Sequence, residues 1–111
     1  MWNVHCSRAI EEGVSPKTTR ALMYGQRPTD MAEDEALAYD FIDELHRTHS
    51  IRDETYERAL AEFGEQGIID LIGVNAYYSL LAMAANVARL PAARTGRLPY
   101  ATTANLPAFP W

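Results

Sequence analysis

Apolar residues recur along this chain at helical spacing almost from its first position. Trp2, His5, Cys6, Ala9, Ile10 and Gly13 fall at i, i+3, i+4, i+7, i+8 and i+11, with Asn3, Arg8, Glu11 and Glu12 largely on the other side. That spacing predicts an amphipathic helix stopped by Gly13. Its start is unusual, because no Ser, Thr, Asp or Asn precedes the apolar face to cap the first amides, as though the chain begins inside an element. Ser15 followed by Pro16 is an N-cap with proline at the first helical position, so a short helix over 17–24 follows, closed by Gly25. Residues 26–31, with Pro28 and Asp30, read as a loop. A third helix over 32–49 carries Leu37, Ala38, Phe41, Ile42 and Leu45 as its apolar stripe and places Asp40, Asp43, Glu44 and Arg47 in solvent. Its acidic start, Glu33 to Glu35, and its basic end, with His46 and His49 as solvated charges, suit the helix dipole. A fourth helix over 53–63 presents Tyr56, Ala59, Leu60 and Phe63, and a tight link from Gly64 to Gly67 turns it back against a long fifth helix over 67–90.

That last stretch organises the chain. No charge interrupts it between Asp70 and Arg89, which is nearly the length of a membrane span. Asn75, Ser79, Asn86 and the Tyr77/Tyr78 pair favour burial in protein over lipid, since neighbouring groups in a bundle can satisfy them. Arg89 in the last turn and Pro91 beyond it mark the end. The expected architecture is therefore all-α, a bundle of about five helices over residues 1–90 around one long central helix buried on most of its faces. Residues 91–111 differ: four prolines and no charge beyond Arg97 predict an extended arm whose Tyr100, Leu106, Phe109 and Trp111 either fray or dock on a groove. The surplus apolar surface of the long helix, with Gly73, Ala76, Ala82, Ala84, Ala85 and Ala88 allowing close approach, predicts a homo-oligomer.

Composition narrows the function. The chain has 111 residues, one domain's worth, with a net charge of −5. Its ten Lys and Arg are scattered, which argues against a nucleic-acid partner. One cysteine, Cys6, excludes an intrachain disulfide, and no signal-like segment opens the chain, so the expected compartment is the cytoplasm and no membrane partner is expected. His46 and His49 lack the spaced partners of a metal site, and no cofactor is expected.

Several runs in order resemble the carboxymuconolactone decarboxylase-like family of the alkylhydroperoxidase D-like helical fold: WNVHCSRAIEEGVS, LMYGQRP, then the stretch from DEALAYDF through FGEQGIIDLIG to AMAANV and a following Leu-Pro. The His-x-x-x-Ala-x-x-x-Gly run, filled by His5, Ala9 and Gly13, and Phe-Gly-x-x-Gly, filled by Phe63, Gly64 and Gly67, carry most of it. The resemblance implies lyase chemistry, decarboxylation of a small carboxylated lactone from aromatic compound catabolism, and rings of three subunits or pairs of rings. It also implies further helices and an acidic residue ahead of the tryptophan, where this chain has Met1, so the N-terminus reads as shortened. Relatives that act as peroxidases carry Cys-x-x-Cys-x-x-x-His, and the equivalent positions here are Trp2, His5 and Ala9. A thiol peroxidase is accordingly disfavoured, and Cys6 reads as a small packed side chain rather than a peroxidatic thiol.

His5 is the candidate catalytic residue, because decarboxylation leaves a carbon that must receive a proton and imidazole can deliver one at neutral pH. The competing reading is a core histidine bonded to backbone. Trp2, Tyr77 and Tyr78 are candidate walls of a substrate pocket, Arg20 and Arg27 candidate anchors for a carboxylate; Tyr77, Tyr78 and Asn86 can equally satisfy one another inside a bundle. Against the enzyme stands a second function class, an inactive shortened bundle serving as an oligomerisation or partner-binding module.

Overall fold

The structure, a computed structural model, describes residues 2–90, Asn3 by its backbone alone. The proposed arm over 91–111 and the reading of Met1 lie outside the described residues. Every described element is a helix: α1 Trp2–Glu11, α2 Pro16–Met23, α3 Glu33–Thr48 and α4 Asp53–Val87. The chain divides into two compact units, one reaching to Met31 and one spanning Ala32–Leu90.

In the first unit, α1 packs on α2. α1 ends in a Schellman motif: the Val14 amide reaches back to the Ala9 carbonyl at 2.9 Å, the Gly13 amide bonds the Ile10 carbonyl at 3.1 Å, and Gly13 takes φ 100°. The Ala-x-x-x-Gly spacing is therefore the spacing of a helix stop, and only glycine adopts that backbone without steric cost. α2 starts as its sequence predicts, with Ser15 Oγ accepting the Lys17 amide at 3.2 Å and Pro16 at the first position. The loop after it is tied back by Thr18 Oγ1, which donates to the Asp30 carbonyl at 2.8 Å, and by the fully buried Pro28.

In the second unit, α3 lies on α4. The core is Phe41, Ala59 and Ile68, flanked by Ile42, Ile51, Phe63 and Leu71. Glu35 accepts the Ala32 amide at 3.1 Å at the start of α3, and His49 closes its end in the left-handed region at φ 57°. The predicted fourth and fifth helices meet at a kink inside α4, and of the link expected over four residues only Gly64, at φ 69° and ψ 175°, leaves the helical backbone. That conformation belongs to glycine alone and gives α4 two arms, both of which contribute to the core: Ala59 and Phe63 before the kink, Ile68 and Leu71 after it. At Gly67 a Cβ would come within 2.6 Å of Phe63 Cβ, so this position has no room for a side chain.

Three expectations change. On the first arm the inward line is Thr55, Ala59 and Phe63, while Tyr56 and Leu60 are exposed, because the helix is rotated to bring Thr55 beneath α3. Arg89 is not in the last turn but just beyond it, at φ 51°, where its amide bonds the Asn86 carbonyl and the Leu90 amide the Ala85 carbonyl. The long helix is also not buried on most faces within this chain. One line, Leu71, Asn75, Ser79, Ala82 and Ala85, is half-buried, and the rest of the circumference is bare, including Ile69, Leu80 and Val87 at 60%, 60% and 86% exposure. The physical reason is reach: α3 has only 16 residues, and at about 1.5 Å per residue the arm over 65–87 outruns it by roughly 10 Å. By length and composition α4 could cross a membrane.

Candidate functional site

The candidate residues fall in both units. α1 places Trp2, Cys6 and Ala9 half-buried along one side and leaves His5 exposed, so His5 is not a core histidine. Cys6 is a free thiol, half-buried. On α2 Arg20 is exposed, and Arg27 in the following loop donates to the Pro28 carbonyl at 3.4 Å. In the second unit the rings of Tyr77 and Tyr78 meet edge to face, centroids 5.5 Å apart at 79°, and both remain exposed. Quadrupole complementarity favours that arrangement and holds the two rings as one aromatic step on the helix surface.

Two cavities open in the second unit. One, about 270 Å³, is an apolar groove lined by Ala38, Phe63, Gly67, Asp70, Leu71 and Val74. The other, about 450 Å³, is lined by Glu44, Arg47, Thr48, Ser50, Ile51 and Arg52. None of Trp2, His5, Arg20, Arg27, Tyr77 or Tyr78 lines either.

The most strongly built polar cluster is one the sequence pattern assigned to solvent. Glu44 is 6% exposed. Its Oε2 accepts from Thr55 Oγ1 at 2.6 Å, and its Oε1 accepts the Arg52 amide at 2.8 Å and Arg52 Nε at 3.1 Å. Arg52 is the N-cap of α4 and offers that helix no side-chain cap of its own; the Glu44 carboxylate from α3 takes the amide of Arg52 and lies at the positive end of the helix dipole. The Thr55 hydroxyl, then the Arg52 amide and side chain, favour the charged form and hold the Glu44 carboxyl down at about 2, against 4.5 ordinarily. The Arg52 side chain is 74% exposed, so water screens the ion pair and the two short hydrogen bonds dominate. The signal for Glu44 was present: Leu37, Phe41 and Glu44 follow i, i+4, i+7, the buried line of α3.

His46 is a second correction. It is half-buried, with Nε2 2.9 Å from Asn75 Oδ1, which links α3 to the second arm of α4 instead of carrying a solvated charge at a helix end. Asn75 thus finds within the bundle the partner that its place on an apolar helix demands. Among the described residues, no buried side-chain polar atom is left without a hydrogen bond. No three His, Cys, Asp or Glu side chains gather there as a metal-binding group.

No protein-family model, no curated protein and no solved structure matches this chain.

Proposed function

We propose that this chain is a carboxymuconolactone decarboxylase-like subunit of the alkylhydroperoxidase D-like type, acting without a cofactor on a small carboxylated lactone or a related intermediate of aromatic catabolism. The observation that carries the reading is that both glycine-bearing runs of the resemblance lie where the backbone needs them. Ala9 and Gly13 form the stop of α1, and Phe63, Gly64 and Gly67 form the kink of α4 with Phe63 in the core. In the reaction the bond to the carboxyl carbon breaks, carbon dioxide leaves, its bonding electrons stay on the substrate carbon, and His5 as imidazolium delivers the proton there. Arg20 and Arg27 hold a carboxylate of the substrate, and Trp2 supplies an apolar wall. The subunits assemble as a homo-oligomer, a trimer or a hexamer, in the cytoplasm. The Asn75 to His46 bond and the charged α3 lying on α4 support a soluble bundle over a membrane span.

The test is carbon dioxide release from a carboxylated muconolactone by the purified chain. His5→Gln lowers turnover at least about 100-fold, the scale of a lost general acid, and leaves far-UV circular dichroism unchanged because His5 is exposed. Equal turnover by the two proteins would remove His5 from the reaction.

A second reading, an inactive bundle acting as an oligomerisation or partner-binding module, is favoured by the bare apolar surface of the second arm of α4, where Ile69, Leu80 and Val87 are exposed. An assembled protein that releases no carbon dioxide from any carboxylated lactone supplied would select it.

A further inference from the structure

The apolar groove beside the Gly64 kink has no part in the lyase reading. Ala38 comes to it from α3, Phe63 from the first arm of α4, and Gly67, Asp70, Leu71 and Val74 from the second. Those last four fall at i, i+3, i+4 and i+7, so one face of the second arm forms its floor. Ala38 and Gly67 are the smallest residues of the lining, and the space left there measures about 270 Å³. Every side chain in the lining is hydrocarbon except Asp70, which is exposed. Its Oδ1 accepts from Gln66 Nε2 at 2.8 Å, while Oδ2 meets no donor among the described residues.

We propose that this groove binds a small organic amine, with its apolar body among Ala38, Phe63, Leu71 and Val74 and its ammonium on Asp70. The lining selects that class. A polar body would give up water to hydrocarbon that returns no hydrogen bond, and an extended peptide would bury main-chain groups with the same loss. An anion is repelled by the one charge present, whereas an ammonium meets the carboxylate as a charge-assisted donor. Volume sets the size. At about 270 Å³ the groove falls just under the roughly 300–1,000 Å³ of sites for drug-sized molecules, so the body is a single ring or a short branched chain. The carboxylated substrate of the reaction above is an anion and is not the occupant, which makes the two readings independent.

The test is a titration of the isotope-labelled full chain followed by NMR, with three ligands of one shape and different ends: phenethylamine, phenethyl alcohol and hydrocinnamate. The amine should saturate with a Kd at or below about 1 mM, the alcohol should bind at least about tenfold more weakly, and hydrocinnamate should not saturate by about 10 mM. Asp70→Asn keeps an acceptor for Gln66 and should bring the amine down to the affinity of the alcohol. Ala38→Leu should fill the groove and remove both; should it fail to fold by circular dichroism, Asp70→Asn decides alone. A wild-type chain that the amine does not saturate overturns the proposal. So does an amine affinity that survives Asp70→Asn within about twofold, since the carboxylate would then hold nothing.

Discussion

Gly64→Ala separates backbone conformation from packing, because the two give opposite expectations at this position. An added Cβ would meet no atom within 4 Å, so sterics with neighbours cost nothing. The backbone at φ 69° and ψ 175° lies where L-residues are strained by about 1–3 kcal/mol. Alanine also restricts the unfolded chain, which returns about 0.4–1 kcal/mol. The net loss is then about 1–2 kcal/mol, or about 5–15 °C in melting temperature for a unit of this size. The strained residue has one escape, to fall into helical φ and ψ and straighten α4, but Ala59 and Phe63 on one arm and Ile68 and Leu71 on the other then no longer converge on Phe41.

The assay is thermal unfolding followed by far-UV circular dichroism at one fixed protein concentration. Ala61→Gly, on the exposed side of the same helix, serves as the reference for the ordinary helical cost of about 0.5–1 kcal/mol. A Gly64→Ala protein melting at or above the wild-type temperature would refute the account of the kink.

Phe41 is 1% exposed at the centre of the second unit, so Phe41→Ala should cost about 3–5 kcal/mol by chemical denaturation, far more than Tyr56→Ala on the exposed side. Glu44 has a folded pKa depressed to about 2 from 4.5, so its contribution is complete above about 4.5 and is lost as pH falls toward 2. Glu44→Gln should lower stability at neutral pH and flatten the loss of helical signal through that acid window; an unchanged acid limb would contradict the cap. Cys6 is the chain's one cysteine and has no resolving thiol, so sustained thiol-dependent peroxide consumption should be absent, and Cys6→Ser should leave peroxide decay unaltered.

Legibility in the sequence followed the scale of the signal. Period 3.6 located every helix, and the Ser15–Pro16 cap and Gly13 stop emerged where the residues placed them, because capping is local chemistry. The Gly64 turn was visible as glycine but not as a single residue, since its φ and ψ depend on both arms meeting one core. Glu44 was misread because charge outweighed position: a carboxylate on the buried line is stable only if another element brings donors to it, and Arg52 and Thr55 lie across a turn that local pattern does not close. His46 failed likewise, its partner Asn75 being on a different helix. The candidate substrate residues were chosen by chemistry and resemblance; spatial convergence is a tertiary property that no spacing along one chain encodes.

The polar residues of α4 are not scattered at random over an apolar helix. Asn75 and Ser79 lie on the half-buried side, where Asn75 is already bonded to His46, whereas the exposed line Gly73, Tyr77, Leu80, Ala84 and Val87 holds no amide or aliphatic hydroxyl and presents only the phenol of Tyr77 as a polar group. Burying an unpaired amide would cost about 1–3 kcal/mol, so such a group does best on the side of the helix where α3 satisfies it. On this division α4 is the folding scaffold of the second unit, held by Glu44 at its start and by the Gly64 kink within it, with its polar groups kept on the side that α3 reaches.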